Sequence, residues 1–138
     1  MASDALENAI ITRLTDDSGY LVTPDTTYYV SLHATDPGDT GTGELAATNG
    51  YARKSYTTSG GWNAAALGST SNNGSITFGA ASGGDWAEAL FFGLWNNAAG
   101  TSANFILGGA LTSGVTCTDG DAVQFLGGTP GALVITCT

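Results

Sequence analysis

The run Ala89-Leu90-Phe91-Phe92-Gly93-Leu94-Trp95 constrains the fold more than any other part of the chain. Side chains of a strand alternate between its two faces, so seven consecutive positions without a polar group leave neither face for water. The run therefore predicts a central strand covered on both sides. Asn96-Asn97-Ala98-Ala99-Gly100-Thr101 turns the chain into residues 104–111, which predicts a hairpin.

The remaining segments read as shorter strands between turns. Tyr28, Val30, Leu32 and Ala34 alternate with Tyr29, Ser31 and His33, the pattern of a half-buried strand. A turn cluster follows, Asp36-Pro37-Gly38-Asp39-Thr40-Gly41. Residues 51–58 predict a polar strand and residues 75–78 a short one. Residues 122–126 and 132–136 flank Gly127-Gly128-Thr129-Pro130-Gly131 and predict a second hairpin. Residues 59–74 are nearly all Gly, Ser, Asn, Ala and Thr, with Trp62 as the only aromatic residue, and read as an extended arm or surface excursion pinned by that indole. Ahead of the β region, Leu6, Ile10 and Leu14 recur every fourth residue after an Asp4/Glu7 capping pattern, predicting a short amphipathic helix over residues 4–17. The expected fold is a single domain of 138 residues: an antiparallel β-sandwich or barrel, jelly-roll-like, with one short N-terminal helix.

Charge narrows the function. Twelve acids against Arg13, Arg53 and Lys54 give a net charge of −9. Three cations cannot follow a phosphate backbone, so neither nucleic acid nor an anionic membrane surface is an expected partner. Charged residues make up only 11% of the chain, against about 25% in a typical domain, so the surface is expected to be covered by Thr, Ser and Asn hydroxyls and amides or by neighbouring subunits. No export signal is visible near the first residues, which carry acids, and Cys117 and Cys137 are expected as reduced thiols.

Candidate chemistry is sparse. The single histidine, His33, has no Ser-His-Asp or Cys-His constellation placed around it by spacing, and reads as a structural hydrogen-bonding residue. The Asp-rich turns at residues 16–19, 36–39 and 119–121 lack EF-hand spacing and read as turns, so no metal, cofactor or catalytic residue is expected. Trp62 and Trp86 lie in polar segments, as either subunit contacts or anchors for their own loops.

Four segments carry a family resemblance. Tyr29-Val30-Ser31-Leu32-His33-Ala34-Thr35-Asp36-Pro37-Gly38-Asp39-Thr40-Gly41 resembles the Y-V-A-L-H-T-A-D-P-G-D-T-G segment of small virion proteins of tailed bacteriophages, often labelled tail-fibre or minor structural proteins. Gly50-Tyr51-Ala52-Arg53-Lys54 is similar to their G-Y-A-R-Q, and Ile76-Thr77-Phe78-Gly79-Ala80-Ala81 with Trp86 to their I-T-F-P-A-A…W. Phe92-Gly93-Leu94-Trp95 with Leu107-Gly108-Gly109-Ala110-Leu111 is similar to F-G-I-W-D…L-L-Y-G-A-L, with Asn97 where an Asp is usual. The resemblance implies a non-enzymatic virion component made in the host cytoplasm, and a homo-oligomer. The chain has neither heptads nor β-helix repeats for a fibre shaft, so the expectation is a capsid decoration or cement protein. It would sit on the head surface as a homotrimer bound to the major capsid protein. The alternative is a fibre or spike tip domain that binds a host glycan. Interface candidates are Leu6, Ile10, Tyr51, Arg53, Trp62 and Trp86.

Overall fold

The computed structural model describes Ser3 and residues 27–57, 60–67, 69–128 and 131–136. The expected helix, with Leu6 and Ile10, and Cys137 lie outside these residues. The described chain is mainly β and antiparallel, as the alternation predicts. Four strands form the main sheet: β1 (Thr27–His33), β2 (Lys54–Thr57), β5 (Trp86–Trp95) and β6 (Phe105–Cys117), in the order β2-β1-β5-β6. Two short ladders complete the domain. In one, β3 (Ser69–Ser71) pairs with β8 (Val134–Thr136); in the other, β4 (Ile76–Thr77) pairs with β7 (Gln124–Phe125).

The apolar run is indeed central. β5 pairs with β1 on one side, Leu32 opposite Phe92, and with β6 on the other, Leu94 opposite Leu107. Its two faces serve different purposes. Phe92 and Leu94 join Val30 and Leu32 in the hydrophobic core, with Ile76, Phe78, Phe125 and Leu133 contributed by the short ladders and their flanks. Each such side chain taken from water contributes about 1.5–3 kcal/mol. Gly93 and Trp95 lie on the opposite face with Ser31 and His33, and there the chain builds a second buried layer.

The second hairpin does not form as the sequence suggests. Residues 122–126 and 132–136 share one backbone bond, Ala132 N–H to Leu126 O at 3.0 Å, while their strands pair with β4 and β3 instead. The cause is Asn72, a fully buried amide set between them. Its Nδ2 donates to Leu126 O (3.1 Å) and Gly74 O (2.9 Å), and its Oδ1 accepts the Leu133 N–H (2.8 Å). The amide thus takes the Leu133 N–H, which a direct hairpin would have used, and shares Leu126 O with the Ala132 N–H.

The segment read as an extended arm is folded onto the domain. β3 is part of it, the chain reverses between Ala66 and Ser69, and the Tyr56 hydroxyl closes its base by donating to Gly61 O and accepting from Gly74 N–H (2.8 Å). Small residues permit that close return.

Replacing Asn72 with Ala strands the buried Leu133 N–H and removes one donor each from Leu126 O, which keeps the Ala132 N–H, and from Gly74 O. A loss of about 3 kcal/mol in urea unfolding, with the slope against denaturant unchanged, is the expected result.

Candidate functional site

Polar chemistry in this molecule concentrates on the second face of the main sheet. Ser31 and His33 are two apart on β1, so both point to the same side, and both are completely buried. Gly93 lies across from Ser31 on β5, and a Cβ there would stand 2.6 Å from both His33 Nε2 and Ser31 Oγ, so only glycine admits the pair. Trp95 follows two residues later and closes the cluster, packed edge-to-face on Phe105 with ring centroids 4.8 Å apart.

The hydrogen bonds have a fixed direction. The Trp95 indole can only donate, and gives its Nε1–H to Ser31 Oγ at 2.7 Å. The Thr42 carbonyl can only accept, so His33 Nδ1, 2.7 Å away, carries the proton. His33 Nε2 is then the acceptor for the Ser31 hydroxyl, also at 2.7 Å. Burial drives the His33 pKa down, against smaller opposing effects from the Thr42 carbonyl and Glu44, and the ring is held neutral.

A second polar group lies on top. The Arg53 guanidinium stacks on the Trp95 ring, 3.4 Å from its centroid. Its Nε and NH2 engage Glu44 as a two-pronged ion pair at 2.8–3.1 Å. NH1 and NH2 also reach the carbonyls of Asn97 (3.0 Å) and Gly100 (3.3 Å) in the β5–β6 turn. Tyr51 links the ion pair to the sheet edge. Beyond Lys54 the β2 partner strand leaves β1, and the Tyr51 hydroxyl accepts the Leu32 N–H (2.8 Å) in place of a strand carbonyl. That hydroxyl lies 3.2 Å from Glu44, and burial pushes its pKa up, so it stays protonated.

This arrangement decides what the cluster can do. Ser31 and His33 have the spacing of a nucleophile and its base. The serine oxygen is sealed, however, and already accepts an indole proton, so an incoming carbonyl has no approach to it. The cluster instead joins four separated pieces: the 36–44 loop through Thr42 and Glu44, the strand edge through Tyr51 and Arg53, the β5–β6 turn, and the sheet itself. Gly41, with φ of 73°, brings the loop directly against Trp95. Among the described residues, no group of three His, Cys, Asp or Glu side chains converges as metal ligands would.

The structural reading of His33 agrees with its observed role. Tyr51, Arg53 and Trp86, candidates for subunit contact, are largely turned inward. Trp86 is buried, its Nε1–H donating to Asn49 O at 2.8 Å, and Tyr51 packs edge-on against it. Trp62 is half-buried and meets Tyr56 at 5.5 Å between ring centroids, anchoring its own loop. Glu44 and Thr42 were not evident from sequence. The one pointer to Glu44 was arithmetic: an inward-turned Arg53 needs a carboxylate partner.

The chain belongs to the family described as podophage GP4 fiber I protein gp80, whose model matches residues 1–133. It is thus a structural protein of a phage particle. No curated protein matches it.

His33 sets the pH response of the fold. The unfolded imidazole titrates near 6.5 and the folded one lower, so unfolding takes up a proton once the pH falls below about 6.5. Full stability is expected above that pH and a progressive loss below it. Urea midpoints should therefore fall between pH 7.5 and pH 5. In His33→Gln the protein should be less stable at pH 7.5 and show a flatter dependence.

Proposed function

We propose that this chain is a building block of a phage fiber, contributing a rigid β-domain to an appendage assembled from several copies. The observation that carries this reading is the family match over residues 1–133. The geometry supports it. The chain invests its buried serine, histidine, arginine and tyrosine in fixing loops, and the Ser31–His33 pair is closed to substrates. The role proposed is assembly without catalysis, with a homotrimer as the working unit. Rigid loops at the ends of a sheet suit repeated contacts with identical neighbours.

The capsid-surface role expected from composition drew on low charge and on the lack of shaft repeats. Both features also suit a short β-module held within a fiber by its neighbours, and the family description favours the fiber.

Gold-labelled antibody against the chain, applied to purified particles, separates these placements. Label confined to the appendages is the expected image. Label spread over the head would return the decoration reading.

A further inference from the structure

Charge is distributed unevenly along the chain and therefore over the molecule. Residues 55–84 and 122–138 contain no Asp, Glu, Lys or Arg. Both short ladders, β3–β8 and β4–β7, are built from those two stretches. The carboxylates of the described chain lie elsewhere, at residues 36, 39, 44, 85, 88, 119 and 121. A molecule with a net charge of −9 repels its own copies across any acidic face. Among the described residues, the end carrying β3 and β8 is where that repulsion is least.

The same end exposes apolar side chains in an unusual conformation. The chain reverses at Leu67 in a tight turn closed by two reciprocal bonds, Ala66 N–H to Ser69 O (2.9 Å) and Ser69 N–H to Ala66 O (3.0 Å). Leu67 has φ of 52°, a region that glycine or asparagine enters readily and a leucine resists. Its side chain is fully exposed. Next to it runs a shallow groove of about 280 Å³, lined in part by Ala64, Ala66, Thr70 and Val134, the last 44% exposed. A strained backbone that holds a leucine out in water is explained by a contact that covers it.

We infer that copies of this chain meet through the uncharged β3–β8 end, with Leu67 of one copy seated against the Ala64–Ala66–Val134 groove of another. The occupant is a second copy because both surfaces are built from stretches without charged residues, while the seven carboxylates of the described residues lie outside those stretches. This inference deepens the fiber reading, since it supplies the contact by which such modules would join. It moves the anchor from Trp62, which the chain uses internally, to Leu67.

Leu67→Asn separates association from folding. Asparagine accepts the positive φ, so the variant should melt at the wild-type temperature or above, while its self-association, measured by sedimentation equilibrium, should weaken at least about tenfold. Val134→Thr, on the groove side, should weaken association in the same direction. Glu88→Gln, outside the uncharged stretches, should leave it unchanged or slightly stronger. Wild-type protein that stays monomeric up to millimolar concentration would overturn the inference. So would association that is indifferent to Leu67→Asn and Val134→Thr. Neither result would touch the placement on the fiber, which is tested by where label binds the particle, although a strictly monomeric chain would also count against the homotrimer.

Discussion

The fold depends on a row of three hydrogen bonds that can run in only one direction. It begins at an indole N–H that cannot accept and ends at a carbonyl that cannot donate. Between them, Ser31 and His33 each accept one bond and donate the next. The side chains of Ser31, His33 and Trp95 are buried and satisfied, and no buried side-chain nitrogen or oxygen among the described residues lacks a partner. A fully satisfied buried network specifies one arrangement of the groups it joins, because any alternative strands a donor or acceptor at a cost of about 1–3 kcal/mol. Here those groups are the centre of the main sheet and the 36–44 loop.

The rest of the molecule is arranged around that row. One face of the sheet carries an ordinary apolar core, and the other carries the row, capped by Arg53 lying flat on Trp95. The guanidinium is well suited to this place: it stacks on the indole, binds Glu44 with two nitrogens and still reaches two turn carbonyls. A lysine has neither a planar group to stack on the indole nor two nitrogens to grip the carboxylate. At the far side of the core, Asn72 performs a similar service with an amide, so both ends of the domain have loops held by buried polar side chains instead of longer ladders. This explains how strands of two or three residues persist in a chain with 21 glycines.

Much of the main sheet was legible because its strands alternate or are apolar throughout, and those patterns follow from strand geometry alone. The β5–β6 hairpin was legible for the same reason. The pairing of β7 and β8 was not, since it turns on one buried asparagine more than fifty residues away in sequence. His33 could be recognised as a structural residue by the lack of catalytic company. Its partners could not, because Trp95 lies 64 residues from Ser31 and Thr42 offers only a carbonyl, which every residue possesses. Arg53, named as an interface candidate, is largely turned inward. What turned it inward was an aromatic face and a carboxylate brought together by folding. Yet three of the four segments that carried the family resemblance, around residues 29–41, 50–54 and 92–95, converge on this cluster, and the fourth, around residues 76–81 with Trp86, lies in the apolar core. The resemblance therefore pointed to the architecture before it pointed to any surface.

The central claim is that His33 is a fixed, neutral link in a directed row, and the ring nitrogens report it directly. Long-range ¹H–¹⁵N correlation spectra of the imidazole near pH 7 should show a protonated Nδ1 and an unprotonated, hydrogen-bonded Nε2, with no averaging between tautomers. A protonated Nε2, a cationic ring at that pH, or tautomers in fast exchange would contradict the account.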